Sequence, residues 1–357
     1  MTPGAPSVPI WVELSGENLA LAELELSACD EVLDPLSTPP RLLPWGNGRF
    51  REVTFSRAGP TALLASRLAF AHRVLRPVAE GSLDTLVDAM VLEGGSGASG
   101  RVRVAPGAPP SLAPRVPGLL GHAFLQGGGR VDLDAPDRDF LALVSPTPSD
   151  PVGATEAGLA ELLGEVPRSE VELRRSKHRP FRKPVTLPPR LARAMVNLAR
   201  APLGGTVLDP FCGTGAILLE AAHLGYRVTG ADVDAEMVRG TLQNLSAEGL
   251  APERVVQRRV SELPDHLEGV PFDAAVFDPP YGRASTTGGE GSSEVLRQAL
   301  DATPRLVRPG GRVVLLVSDP EAVPAQLQGL RRETLLLAER VHRSLTRWVV
   351  VLTVSDV

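Results

Sequence analysis

Residues 272–283 read FDAAVFDPPYGR, an apolar stretch that stops at two consecutive prolines. The run before the prolines is typical of a buried strand. Pro279 and Pro280 have no N–H to donate, so strand pairing has to end there, and their fixed φ sets the direction of the Pro279 carbonyl. We therefore predict a strand whose carboxyl end presents together the Asp278 carboxylate, a rigid carbonyl and the Tyr281 ring. Open α/β sheets bind their ligands at this edge.

Two acceptors beside an aromatic ring suit a flat, conjugated amine, such as the exocyclic amine of a nucleobase. The carboxylate and the carbonyl accept the two N–H bonds, and the ring stacks on the base. The predicted catalytic residues are Asp278, Pro279, Pro280 and Tyr281.

Composition sets the general class of the protein. The chain has 357 residues, 43% of them hydrophobic, which is enough for two or three domains. It contains no uncharged apolar run of 18 residues, and residues 1–10 lack the basic and apolar regions of a secretory signal, so we expect no membrane association. Two cysteines, Cys29 and Cys212, are too few for a disulfide framework or a zinc site. These features predict a cytoplasmic protein without a metal, and a monomer is the expectation.

A basic segment stands out against the net charge of −5. Residues 174–193 carry eight basic side chains and no acidic one, and they include both lysines of the chain. A polyanion responds to such a local patch more than to the net charge, although a solvated charged face is an equally good explanation. The candidate binding residues are Arg174, Arg175, Lys177, Arg179, Arg182 and Lys183.

The N-terminal half reads as a small α+β region. The pattern predicts a strand and a helix within residues 8–35, a strand at 49–55, a helix at 61–75, a helix at 82–93 and two short strands at 131–133 and 140–144. The first of these elements resemble a ferredoxin-like unit. Residues 94–100 and 106–117 are rich in Gly and Pro and are predicted as loops.

From residue 187 onward, strands and helices alternate regularly. This order predicts a doubly wound, mostly parallel α/β sheet. Two final strands, at 332–341 and 346–354, predict a terminal antiparallel hairpin, which makes seven strands in all.

Residues 207–215, VLDPFCGTG, fall between the first strand and the first helix of this sheet. Gly213 and Gly215 allow a tight turn and a close approach of the backbone to a ligand. A dinucleotide-binding loop is disfavoured, because the third glycine of GxGxxG is missing and Asp209 would repel a pyrophosphate.

Asp209 would instead attract a cation, and Asp232, at the end of the second strand, is placed for ribose hydroxyls. A ligand with an ammonium group, a sulfonium and a ribose meets these requirements, which predicts S-adenosylmethionine as the cofactor. The predicted cofactor-binding residues are Asp209, Phe211, Gly213, Thr214, Gly215, Asp232 and Val233.

The motifs DPFCGTG, ADVD and DPPYG together resemble those of class I S-adenosylmethionine-dependent methyltransferases that methylate amines. With RSKHRPFRKPVTLPPRLARAMVNLAR at 175–200, residues 158–317 resemble the THUMP-domain tRNA (guanine-10-N2)-methyltransferases of archaea and their eukaryotic counterparts. The resemblance implies methylation of the N2 amine of a tRNA guanosine, at position 10, to the mono- or dimethylated product. It also implies that the basic segment binds RNA.

The resemblance further implies a domain order. A ferredoxin-like segment would occupy 1–80, a THUMP-like RNA-binding domain 81–157, a basic linker 158–186, and a Rossmann-like class I methyltransferase domain 187–357.

Three alternatives remain open. An N6-adenine methyltransferase acting on DNA or RNA would use the same acceptor logic. A methyltransferase for a different tRNA guanosine is a second possibility, although related enzymes of that kind tend to have Asn in place of Asp278. The third is a non-catalytic tRNA-binding protein, against which the intact motifs argue.

Overall fold

The chain forms two compact units that do not follow its simple division into halves. The computed structural model describes residues 7–57, 59–145, 156–184, 186–267, 269, 271–280, 291–324, 326–342 and 345–355. The first unit has the bounds Met1–Leu19, Asp34–Ser66 and Ala71–Val166, and the second has the bounds Ala20–Leu33, Arg67–Phe70 and Pro167–Val357. The second unit is therefore assembled from three separate stretches of chain.

The N-terminal elements alternate between short strands and helices. They are β1 (Val8–Leu14), α1 (Leu19–Leu33), β2 (Thr38–Leu42), β3 (Phe50–Phe55), α2 (Thr61–Arg67), β4 (Ala71–Gly81), α3 (Leu83–Gly94), β5 (Ser99–Val104), α4 (Val116–Gln126), β6 (Arg130–Val131), β7 (Arg138–Val144) and β8 (Ala157–Glu165).

All eight of these strands belong to one sheet, in the order β2-β3-β1-β4-β8-β7-β5-β6. Strand β4 pairs antiparallel with β8, from Arg73 opposite Glu165 to Gly81 opposite Ala157. Strand β8 also pairs with β7, so it joins the region predicted as ferredoxin-like to the region predicted as THUMP-like. Helices α3 and α4 pack with β7 and β8 around a core that includes Phe124.

Three expectations for this unit need correction. The single helix predicted over 61–75 is wrong after Arg67, since Ala71–Gly81 is a strand. The segment predicted as a linker from residue 158 begins as strand β8, which lies inside the sheet. Helix α4 and strand β5 were not predicted, because Gly and Pro around them resemble loop signals.

The C-terminal elements follow in a regular order. They are α5 (Arg168–Leu173), α6 (Pro189–Leu198), β9 (Thr206–Asp209), α7 (Ala216–His223), β10 (Arg227–Asp232), α8 (Ala235–Ala247), β11 (Arg254–Gln257), α9 (Leu263–His266), β12 (Phe272–Phe277), α10 (Ser292–Leu306), β13 (Val307–Val317), β14 (Gln326–Leu327), β15 (Leu330–His342) and β16 (Leu345–Val354), with single 3-10 turns at Ser176–His178, Val260–Glu262 and Pro320–Ala322.

Their strands form a second sheet in the order β11-β10-β9-β12-β13-β16-β15-β14. Strands β9 to β13 are parallel to one another, and β16 and β15 form the terminal antiparallel hairpin. The predicted doubly wound, seven-stranded sheet is confirmed, with the two-residue strand β14 added at its edge.

Helix α1 belongs to this second unit, although it lies between strands β1 and β2 in the sequence. Its fully buried Glu25 accepts hydrogen bonds from the N–H groups of Ala69 (2.9 Å) and Phe70 (2.8 Å) and from the Asn197 amide (2.8 Å). Asn197 in turn accepts a hydrogen bond from Arg67 at 3.2 Å. Buried polar groups without partners are costly, so this network fixes α1 and Arg67–Phe70 against α6.

Within the described part of the chain, no helix has the length and hydropathy needed to cross a membrane, and the longest two span 15 residues each.

Candidate active site

The predicted catalytic and cofactor residues lie at the carboxyl edge of the second sheet, where β9 and β12 are neighbours. Ala274 and Ala275 of β12 pair with Val207 and Leu208 of β9. From β9 the strand order runs through β10 and β11 on one side, and through β12 and β13 on the other. Open α/β sheets form a ligand crevice at such a reversal of strand order.

The loop 210–215 that follows β9 has a fixed backbone. The N–H of Cys212 donates to the carbonyl of Ala231 at 2.8 Å, and the N–H of Gly215 donates to the carbonyl of Cys212 at 2.7 Å. Gly213 (φ +51°) and Gly215 (φ +83°) adopt left-handed conformations that side chains other than hydrogen make costly. The two glycines are therefore required by the turn itself.

Two carboxylates hold this loop from within. Asp232 accepts the N–H of Gly213 at 3.0 Å with one oxygen and the N–H of Asp234 at 2.9 Å with the other. Asp209 accepts the N–H of Phe211 at 3.1 Å. Both acids thus shape the loop, and their predicted contacts with a cofactor remain predictions.

The other predicted cofactor residues surround the same turn. Phe211 is half-buried, and its ring centroid lies 5.6 Å from that of Phe277 at the end of β12. Thr214 is buried, and Val233 is half-buried directly after Asp232. All seven predicted cofactor residues are therefore at or beside the ends of β9 and β10.

The electrostatics of this edge are acidic. Burial raises the pKa of Asp209 well above its ordinary value, and the negative charges of Asp232 and Asp278 raise it further, whereas the N–H of Phe211 lowers it. Burial also raises the pKa of Asp232, against the lowering effect of its two loop N–H donors. Negative charges around the buried Asp209 carboxyl favour a ligand that brings positive charge.

Strand β12, which ends directly before Asp278, is buried from Ala274 to Phe277. Asp278 is half-buried, Pro279 is buried and Pro280 is half-buried. The strand therefore stops at the two prolines, as their missing N–H groups require. Tyr281, the fourth predicted catalytic residue, lies outside the described residues.

Two of the six predicted RNA-binding residues point into the protein. The guanidinium of Arg174 pairs with the fully buried Glu220 at 2.7 and 2.9 Å, and Arg193 pairs with the same carboxylate at 2.9 Å. Arg179 is 6% exposed, and its Nε donates to the carbonyl of Arg174 at 2.8 Å. These two arginines support the packing of the segment, so we leave them out of the candidate RNA surface.

The other four face outward to different degrees. Arg175, Lys177 and Arg182 are exposed, and Arg175 pairs with the carboxylate of Glu172. Lys183 is half-buried and contacts both carboxylate oxygens of Glu236 at 2.9 Å. An open cleft of about 310 Å³ on this segment is lined by Ser169, Glu172, Leu173, Arg175, Lys177 and His178.

Helix α8 contributes residues that the sequence did not single out. The Thr241 hydroxyl donates to the carbonyl of Gly213 at 2.8 Å, and the Asn244 amide donates to the carbonyl of Thr214 at 2.9 Å. Polar residues in a helix have no motif of their own. The available signal was that two of them stand three positions apart, on one face of the helix.

Among the described residues, no group of three or more His, Cys, Asp or Glu side chains is arranged to hold a metal ion. Cys212, within the loop, is buried, and burial raises the pKa of its thiol well above the ordinary value.

Comparisons with known proteins agree with this geometry. A family model described as "UPF0020: RMKL-like, methyltransferase domain" matches residues 176–348. The chain is 38% identical over 200 residues to the tRNA (guanine(10)-N2)-dimethyltransferase of Methanothermobacter thermautotrophicus. That match covers 54% of this chain and 57% of the relative, so the chain spans little more than half of that relative.

A shorter relative is covered almost completely. The protein of Methanothermococcus thermolithotrophicus named "Probable tRNA (guanine(10)-N2)-dimethyltransferase" is 31% identical over 172 residues, which are 47% of this chain and 99% of the relative. Among solved structures, the crystal structure of TrmN from Thermus thermophilus is similar over 97% of this chain and 99% of that chain, with 25% identity and a TM-score of 0.52. The family that the motifs indicated is thereby confirmed: the chain belongs to the tRNA (guanine(10)-N2)-methyltransferase family.

Proposed function

We propose that this protein transfers a methyl group from S-adenosylmethionine to the exocyclic N2 amine of a guanosine in tRNA, at position 10. The observation that carries the proposal is the meeting of the glycine loop after β9 with Asp278-Pro279-Pro280 after β12, on neighbouring strands at the reversal of strand order. Membership of the family and the names of its relatives support the same activity.

The residues at this edge fit S-adenosylmethionine. The acidic charges of Asp209 and Asp232 suit a ligand with an ammonium group and a sulfonium, and the left-handed glycines leave the loop backbone open to close approach. Phe211 and Val233 would flank its apolar parts. When bound, this cofactor supplies an electrophilic methyl group on a positively charged sulfur.

The chain's own task is to make the guanine amine a nucleophile. The N2 lone pair is delocalised into the ring, which makes the amine a weak nucleophile. If the Asp278 carboxylate and the Pro279 carbonyl each accept one N–H, the nitrogen is held in a tetrahedral arrangement with its lone pair free. Once the nitrogen had received the methyl group that the cofactor would supply, Asp278 would take the proton that the nitrogen releases.

Positioning accounts for the remainder of the reaction. In-line transfer requires the amine and the methyl group to meet in a fixed orientation, and both sites belong to adjacent strands of one rigid sheet. The base has to leave its stack, at a cost of a few kcal/mol. We assign the stacking contact that offsets this cost, worth about 1–3 kcal/mol, to Tyr281.

Binding of tRNA is assigned to the exposed cations of the basic segment, Arg175, Lys177 and Arg182, together with Lys183. Exposed cations of this kind neutralise the phosphate groups of a nucleic acid. We place the protein in the cytoplasm, where tRNA is modified, and expect it to act as a monomer.

The experiment is methyl transfer from labelled S-adenosylmethionine to an unmodified tRNA transcript, compared with the same transcript carrying a guanosine-to-adenosine change at position 10. We expect labelling of the first and none of the second. Mass spectrometry of the labelled nucleoside reports whether one or two methyl groups are added.

Each alternative has its own outcome. Equal labelling of both transcripts would move the target to another guanosine. Labelling of adenine in duplex DNA or RNA, with none in tRNA, would replace the proposal with an N6-adenine methyltransferase. Binding of tRNA without any transfer under conditions where S-adenosylmethionine also binds would indicate a non-catalytic protein.

A further inference from the structure

One face of helix α8 holds two parts of the proposed site at once. Gly240, Thr241 and Asn244 lie on this face, and both polar side chains are buried, at 0% and 1% exposure. Both contact the backbone of loop 210–215, and Asn244 also contacts the backbone of the basic segment. This face of the helix therefore helps to hold both loop 210–215 and the basic segment in place.

Asn244 bridges the basic segment and the cofactor loop. Its carbonyl oxygen accepts the N–H of Phe181 at 2.9 Å. Its amide nitrogen donates to the carbonyl of Phe181 at 3.0 Å and to the carbonyl of Thr214 at 2.9 Å. One buried side chain thus fixes the backbone of Phe181 from both sides and holds the loop at the same time.

Neighbouring contacts strengthen both ends of this bridge. Thr241 holds the loop through the carbonyl of Gly213 at 2.8 Å. The Phe181 ring packs so closely on Gly240 that a Cβ atom there would overlap it. Phe181 is followed directly by two cations, and the second of them, Lys183, lies over the ring with its ammonium 5.4 Å from the centroid.

We infer that Asn244 is a positioning residue that couples RNA binding at the basic segment to cofactor binding at loop 210–215. The inference rests on the proposed function. A ligand that fixes the loop also fixes the carbonyl of Thr214, and through Asn244 it fixes the backbone next to Arg182. Conversely, RNA phosphates bound at Arg182 and Lys183 fix the backbone of Phe181, and through Asn244 they fix the carbonyl of Thr214.

Coupling of this kind is reciprocal. If bound tRNA raises the affinity for the cofactor by some factor, the cofactor raises the affinity for tRNA by the same factor. Couplings between sites are commonly about 5-fold or more. We expect the wild-type protein to bind cofactor at least about 5-fold more tightly when saturated with tRNA.

The test uses S-adenosylhomocysteine, the demethylated cofactor, so that no turnover occurs. Its Kd is measured by calorimetry on the full chain, with and without a saturating unmodified tRNA transcript. Asn244→Ala removes the bridge. Gly240→Ala leaves the Asn244 amide in place but displaces the Phe181 ring, and alanine is otherwise favoured over glycine in a helix. Gln243→Ala, at an exposed position of the same helix, is the matched control.

We expect the tRNA-dependent factor to fall below about 2-fold in Asn244→Ala and Gly240→Ala and to stay at its wild-type value in Gln243→Ala. Gly240→Ala should bind S-adenosylhomocysteine alone within about 3-fold of wild type, which a general loss of structure would not allow. If Asn244→Ala does not fold, Gly240→Ala decides the question.

A wild-type factor near one, or a full factor in Asn244→Ala or in Gly240→Ala, would overturn the coupling while leaving the proposed function intact. A wild-type protein that binds no S-adenosylhomocysteine at all would overturn the proposed function, and the coupling with it.

Discussion

Asp278 occupies an unusual position for a carboxylate, directly after a buried strand and within the electrostatic reach of a second, fully buried acid. Its charge raises the pKa of Asp209. An acid placed in this way costs stability, so its presence calls for a chemical reason. Acceptance of an amine N–H and of the released proton is such a reason.

Replacing Asp278 with alanine tests that role. Asp278→Ala removes the acceptor and the base together, and we expect kcat to fall by about 10²–10⁴-fold. Affinity for S-adenosylmethionine should stay within about 3-fold, because Asp278 belongs to the amine side of the site. The measurements are single-turnover methyl transfer and calorimetric cofactor binding. A lost cofactor affinity with normal turnover at saturation would show that the residue serves the cofactor instead.

Asp209 is a second acid whose burial lowers stability and whose charge we assign to the cofactor. Burial raises its pKa in the folded chain above the unfolded value. Such a group adds stability that is complete below the unfolded pKa and is lost as the pH rises through the folded pKa. In Asp209→Asn this loss is absent, while the oxygen that accepts the Phe211 N–H is kept. We expect the ligand-free variant to unfold at a higher temperature than wild type at pH 8, with a gap that narrows towards pH 4.

The same variant should bind S-adenosylmethionine at least about tenfold more weakly, since one of the charges that attracts the cationic ligand is gone. Thermal unfolding from pH 4 to 8 and calorimetry at pH 8 supply the two measurements. Unchanged affinity would remove Asp209 from the cofactor site.

At this scale, local patterns in the sequence predicted the turn and the strand end from which the candidate site is built. The prolines after Asp278 and the glycines at 213 and 215 constrain the backbone wherever they occur, so the sequence alone could indicate their roles. Asn244 could not be found in this way, because its importance depends on Phe181, which lies 63 residues away in the chain.

Among the elements, the basic segment divides into a packed side and an exposed side. The carboxylate of Glu220 holds Arg174 and Arg193, and a carbonyl of the segment itself takes the Nε of Arg179. Arg175, Lys177 and Arg182 lie at the surface, where a polyanion can reach them, and Lys183 is half-buried. Composition alone could not separate the two sets, because burial depends on the position of Glu220 on helix α7.

The exposed set predicts a salt-dependent loss of binding. The double variant Lys177→Ala/Arg182→Ala should bind tRNA more weakly, and the slope of log K against log salt should fall by about 0.7–0.9 for each phosphate that the variant no longer neutralises. Filter binding over a range of salt concentrations measures both. Arg227→Ala, an exposed cation at the start of β10, is the control and should leave the slope unchanged.

Arg174→Ala is the complementary variant. It leaves the buried Glu220 with one fewer partner, so we expect a lower free energy of unfolding, by about 1–3 kcal/mol, and little change in the salt slope. A reduced slope in this variant would return Arg174 to the RNA surface.

The wrong prediction of a single helix over residues 61–75 is also explained by contacts between elements. The pattern TALLASRLAFAHRVL is compatible with one helix. The helix ends at Arg67 because Asn197 and Tyr226 bind its guanidinium, at 3.2 and 2.7 Å, and Glu25 binds the next N–H groups. Contacts with residues 44 to 159 positions away thus overrode the local preference.

For the molecule as a whole, the main finding is that the methyltransferase unit is discontinuous. Helix α1 contributes Leu21 and Ala28 to the same core as Met195 and Val196 of α6, and all four are fully buried. The sequence placed the domain boundary near residue 187. Only contacts in three dimensions reveal that residues 20–33 belong to the methyltransferase unit.

A fragment containing residues 167–357 should therefore be incomplete. Without α1 and Arg67–Phe70 it exposes apolar surface on α6 and leaves the Asn197 amide without Glu25. We expect aggregation or a broad, non-cooperative thermal transition, in contrast to the full chain, as followed by circular dichroism and calorimetry. A fragment that unfolds cooperatively at the temperature of the full chain would contradict this expectation.

The inserted helix also has a consequence for synthesis on the ribosome. Glu25 and its partner Asn197 are 172 residues apart. At about 5–20 residues per second, helix α1 emerges on the order of 10–30 s before the helix it packs against. During that interval the apolar side of the nascent helix has no native partner. Chaperone occupancy along the growing chain should accordingly begin when α1 leaves the exit tunnel and end only after α6 has left it.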